Sequence, residues 1–153
     1  NQMENENFIK SFKHELNHAM FEQYCKDQPI WLSEGLSEFM ENITFIDNYY
    51  SFDVEHLNAG IRAQEYLKDG ASIKNTINSP KFYRDNVGQN YTLSWAIIAY
   101  LYTSNRKLLQ DIVRNSCGDR GYFVLDQRYP GGIEILQLDM KSYYLNYSPK
   151  NSQ

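Results

Sequence analysis

The residues most able to do chemistry lie close together near the start of the chain. His14-Glu15-Leu16-Asn17-His18 is an HExxH sequence. On a helix, a four-residue step sets two imidazoles one above the other on one face, so both can grip a single metal ion. Neutral imidazole suits zinc. A catalytic zinc site takes three protein ligands and keeps the fourth position for water. Glu15, beside His14, is the expected general base: the metal lowers the water's pKa and polarises a carbonyl, while the carboxylate takes the proton and later returns it to the leaving group. With only 3 His in 153 residues, the pattern also has an ordinary reading, two helix histidines that fill space. A third ligand is what separates the two readings.

That ligand is expected from the segment Pro29-Ile30-Trp31-Leu32-Ser33-Glu34-Gly35-Leu36-Ser37-Glu38-Phe39, which offers Glu34 and Glu38 four apart on one helical face. Here the chain resembles the gluzincin metallopeptidases, in which HExxH is followed by a helix opening on a Pro-x-Trp-Leu-x-Glu-Gly type of sequence whose Glu binds zinc. The resemblance implies His14, His18 and Glu34 as metal ligands. It also implies Glu38 as the carboxylate that accepts the proton of the non-ligating nitrogen of His14 and fixes its tautomer. Only 15 residues separate His18 from Glu34, against 19 to Glu38, so Glu38 stays open as the alternative third ligand. Further on, Tyr91-Thr92-Leu93-Ser94-Trp95-Ala96 is similar to the segment whose Tyr, in the aminopeptidase branch, hydrogen-bonds the oxyanion; Tyr91 is the matching candidate. The end of the chain, from Tyr129-Pro130-Gly131-Gly132-Ile133 onward, resembles the closing helix of small bacterial peptidase-MA-like domains.

The elements that must hold these residues read mainly as α. Phe8, Ile9, Phe12, Leu16, Ala19 and Met20 recur at helical spacing, with Asn7 as expected N-cap and an end before Pro29. A second helix starts near Pro29 with Leu32, Leu36, Phe39, Met40 and Ile43 on one face. An irregular aromatic stretch is expected over 45–52, then a third helix through Val54, Leu57, Ile61 and Leu67 that Gly70 ends, then a loop over 75–90. Residues 91–102 form an apolar helix on which the core is expected to centre, and 107–115 continue helically. No strand pattern stands out. His56 falls on a helix and is assigned no role.

The whole chain of 153 residues is read as one domain. A net charge of -4 without a basic cluster argues against a nucleic-acid partner, and no apolar run is long enough to span a bilayer. Cys25 and Cys117 can pair only if folding brings them together. No targeting signal is visible; the resemblance favours an exported or cell-envelope protein. Gluzincins also place a small β-sheet before the HExxH helix, and the sequence starts too late to supply it, so that sheet is expected to be absent or reduced. Met3-Glu4-Asn5 and Met40-Glu41-Asn42 echo an exopeptidase recognition tripeptide without its surroundings. The expected activity is therefore zinc-dependent endopeptidase cleavage of a peptide or protein substrate. The alternatives are a zinc hydrolase of a non-peptide substrate and a non-catalytic helical binding module that retains the metal site.

Overall fold

A computed structural model describes residues 2–46, 49–52, 57–119 and 121–147. Among the described residues, eight helices and one hairpin follow in the order α1 (Gln2–Tyr24), α2 (Ile30–Glu41), β1 (Ile43–Ile46), β2 (Tyr49–Phe52), α3 (Leu57–Lys68), α4 (Ile73–Ile77), α5 (Val87–Ser104), α6 (Arg106–Asn115), α7 (Phe123–Arg128) and α8 (Gly132–Leu145). The mainly α expectation holds. Three local expectations do not. The first helix extends back past Asn7 to Gln2. The second helix ends at Glu41, so Ile43, expected on its face, instead opens an antiparallel pair that takes up the stretch expected to be irregular, Ile43 opposite Phe52 and Ile46 opposite Tyr49. The expected loop over 75–90 begins inside α4, whose first turn is capped by Ser72 accepting from the Asn75 amide, and it ends inside α5. Val54 and His56 lie outside the described residues.

The core forms between α2 and α5. Trp31, Leu32, Leu36 and Phe39 on α2 and Leu93, Trp95, Ile97, Ile98 and Leu101 on α5 are all buried, so the expectation of a core centred on Trp95 to Leu101 is met. The α5 helix is apolar almost all round because α2, α3, α4, α6 and α8 all pack against it. Two buried polar handles tie distant elements to this centre: the Trp31 indole donates to the Gly121 carbonyl (2.9 Å) and the Tyr144 hydroxyl to the Ala96 carbonyl (2.9 Å).

Gly35 sets how near α2 and α5 can come. A Cβ added there would stand 2.7 Å from the Ser94 carbonyl oxygen and 3.1 Å from Ile98 Cγ1. The first of these is backbone and cannot rotate away.

Against this packed centre, α1 lies on the outside. Its main neighbour is α2, to which it runs antiparallel: His14 meets Glu41, while His18 meets Ser33 and Ser37. Lys13 reinforces the pairing by donating to the Ile43 carbonyl (2.5 Å) just beyond the end of α2. The far end of α1 is tied by a disulfide between Cys25 and Cys117, residues 92 apart in sequence, beside a backbone bond from the Gly118 amide to the Asp27 carbonyl (3.0 Å). The apolar periodicity of α1 does not face the core. Phe8, Ile9, Phe12, Leu16 and Met20 are 45–69% exposed, and the polar face carrying HExxH turns inward instead.

Two outcomes follow for stability. Gly35→Ala should lower stability by about 1–3 kcal/mol through overpacking, outweighing the ~1 kcal/mol of helix propensity that Ala brings. Denaturant unfolding reads this, and a stabilised variant would show that the two helices separate freely. Reducing the disulfide should remove about 4–5 kcal/mol, since it closes a long loop, and lower the melting temperature by roughly ten degrees or more. A melting curve unchanged by reductant, with reduction verified by thiol labelling, would refute that tie.

Candidate metal centre

The site forms where the polar face of α1 meets α2. On α2 the residues Trp31, Leu32, Gly35, Leu36 and Phe39 take the core side, which leaves Ser33, Glu34, Ser37, Glu38 and Glu41 for α1. Glu34 is the most deeply buried of the three carboxylates, at 5% exposure. One of its oxygens, Oε1, accepts from the Tyr83 hydroxyl at 2.7 Å. The other, Oε2, is buried and accepts no hydrogen bond. It stands 3.3 Å from His14 Nε2 and 3.6 Å from His18 Nε2.

The outer nitrogens of the two imidazoles explain why this matters. His14 Nδ1 lies 2.7 Å from Glu41 Oε1, an ionised carboxylate that can only accept, so in the neutral imidazole Nδ1 carries the proton and Nε2 presents a lone pair. His18 Nδ1 lies 3.0 Å from Ser33 Oγ and 3.5 Å from Ser37 Oγ, and Ser37 in turn accepts from the Asn17 amide at 2.8 Å. In the neutral tautomer that donates from Nδ1 to the Ser33 hydroxyl, His18 Nε2 also presents a lone pair. Three acceptor atoms therefore converge from His14, His18 and Glu34, residues able to hold a metal ion between them. A buried carboxylate oxygen facing two lone pairs is costly without a cation. Ligands bound at about 2.0–2.1 Å with tetrahedral angles are themselves about 3.3 Å apart, close to the spacings seen here. The donor set fits a metal.

The structure thus brings together His14, His18 and Glu34. Glu38 does not join the three ligand atoms; its oxygen is 3.9 Å from His14 Nδ1. The hydrogen-bonding position on His14 that the sequence pointed to for Glu38 is taken by Glu41. Glu38 instead has its carboxyl pushed up to about 6, first by burial and next by the charge of Glu41. Glu15 is exposed on the turn of α1 that carries His14. Tyr91, in the first turns of α5, comes to the same carboxylate: burial first, then the charge of Glu34, pushes its hydroxyl up to about 12, with Glu38 and Glu15 adding to the effect.

Two site residues were not singled out from sequence. Glu41 continues the Glu34, Glu38 spacing by three more residues, so its place on the same face was readable. Tyr83 sits on the irregular segment between α4 and α5, and no periodicity points to it.

Helices built around a buried α2, with two α1 histidines and an α2 glutamate converging on one point, define a helical protein with a candidate metal-binding centre. The chain belongs to the family described as "Protein of unknown function (DUF1570)", whose profile matches residues 11–120, a span holding the whole centre, Tyr83, Tyr91 and both half-cystines. No curated protein matches the chain, and no solved structure does.

The two carboxylates beside His14 can be told apart by metal titration. Glu41→Gln should weaken metal affinity about 10–100-fold, as loss of a partner that orients a ligating imidazole does, while Glu38→Gln should change it less. The reverse order would return the orienting role to Glu38.

Proposed function

We propose that this protein is a zinc-dependent peptidase of the gluzincin kind, with His14, His18 and Glu34 as zinc ligands and Glu15 as general base. The observation that carries the proposal is the buried, unpartnered Glu34 Oε2 facing the two imidazole Nε2 atoms. HExxH, the Trp31-Leu32-Ser33-Glu34-Gly35 context and the place of Tyr91 support the choice of chemistry.

Bound zinc would supply Lewis acidity and a water of lowered pKa. The chain's own residues supply the rest. Glu15 is exposed, free to take a proton from the attacking water and pass it to the leaving amine. Tyr91, a phenol that keeps its proton at neutral pH, is the donor for charge that develops on the carbonyl oxygen. Glu41 and Ser33 hold the proton on Nδ1 of His14 and His18, which keeps each Nε2 available as a ligand. The substrate class, a peptide or protein, rests on the resemblance. The disulfide supports an exported or cell-envelope location, since such bonds persist in oxidising compartments.

The test compares native protein with Glu15→Gln and His18→Ala. Native protein should carry about one zinc per chain and cleave a denatured protein substrate. Glu15→Gln should keep the zinc and lose cleavage by a factor of roughly 100 or more, whereas His18→Ala should lose both. Zinc uptake with no cleavage of peptides but turnover of esters would favour a hydrolase of another substrate. Zinc uptake with no hydrolysis of any kind would favour a binding module.

A further inference from the structure

Glu34 has two oxygens, and only one faces the histidines. The Tyr83 hydroxyl is what distinguishes them, holding Oε1 at 2.7 Å while Oε2 is left toward His14 and His18. Tyr83 is itself held from behind. Its neighbour Phe82 is 2% exposed in the core, and the buried Asn90 on α5 donates to both the Phe82 and Asp85 carbonyls at 2.8 Å. The segment between α4 and α5 is thus fixed to α5 on either side of Tyr83, and the Tyr83 ring makes edge contact with Phe82 (centroids 5.5 Å apart). The residue is 55% exposed while its hydroxyl is engaged by the buried carboxylate.

Resting on the reading of His14, His18 and Glu34 as ligands, we propose that Tyr83 is a positioning residue that keeps Glu34 a one-oxygen ligand. A carboxylate that binds through both oxygens takes a second coordination position, the one a catalytic site keeps for water. By occupying Oε1, Tyr83 reserves that position. Tyr91 also lies within the influence of Glu34, but the hydroxyl held at 2.7 Å on Oε1 is that of Tyr83.

The test uses the full chain and Tyr83→Phe, which keeps the ring and removes only the hydroxyl. Zinc affinity, read by competition with a chromogenic chelator, should fall about 10–100-fold. In the cobalt(II)-substituted protein, visible absorption should lose intensity as Glu34 swings to two-oxygen binding and the coordination number rises. The metal-free variant should stay folded with its melting temperature lowered by only about a few degrees, because the ring packing is retained while Oε1 loses its donor. Native affinity together with a native cobalt spectrum in Tyr83→Phe would overturn the positioning role while leaving the three-ligand site standing. A native chain that takes up neither zinc nor cobalt would overturn the site and this role together.

Discussion

The close contact of α2 with α5 at Gly35 is the constraint from which the rest of the centre follows. With no Cβ at that point, the α2 backbone seats against the Ser94 carbonyl, and Trp31, Leu32, Leu36 and Phe39 fill the space on either side. That seating fixes the rotation of α2 about its own axis. Once the apolar face is committed to α5, the Ser33, Glu34, Ser37, Glu38 and Glu41 face can only point the other way. A helix with carboxylates on its second buried face needs a neighbour that supplies donors or cations, and α1 is that neighbour. The motif glycine and the ligand glutamate are thus neighbours for a mechanical reason: one brings the helix in, and the other is carried to its depth.

The α1–α2 contact is accordingly unusual for two packed helices. It is held by directional polar pairs, His14 to Glu41, His18 to Ser33, Asn17 to Ser37 and Lys13 to the Ile43 carbonyl, more than by apolar burial. Directional contacts specify register well and contribute modestly to net stability, typically about 1 kcal/mol each. The disulfide at the far end of α1 compensates by limiting how far the helix can leave. The candidate metal centre and the covalent tie are divided along one helix, the first in its middle and the second just past its end.

Much of this was legible in the sequence because helical spacing carries it. HExxH on a helix, Glu34 on the next, and the apolar run from Trp95 to Leu101 each declare themselves through a period of three to four. What was not legible depended on other signals. The hairpin pairs Ile43–Ile46 with Tyr49–Phe52, segments rich in β-branched and aromatic residues on either side of Asp47-Asn48 in the sequence, a strand signature too short to stand out beside long helices. Glu41 lost to Glu38 because spacing alone cannot say which of two carboxylates on one face reaches a given imidazole. Tyr83 depends on Asn90 fixing a connecting segment from a distance, and no local pattern encodes that. The inward turn of α1 was also hidden, since an apolar stripe on a helix ordinarily marks its buried side.

That stripe couples two properties of the molecule. Phe8, Ile9, Phe12, Leu16 and Met20 ride on the same rigid 23-residue helix as His14 and His18, on the opposite side. Any surface that covered those side chains would grip the helix that carries two of the three candidate ligand residues. A contact that favoured the α1 position in which His14 and His18 meet Glu34 would favour a metal ion held there. By reciprocity, such an ion would strengthen that contact by the same factor. The apolar stripe and the candidate centre are thus mechanically joined through one helix.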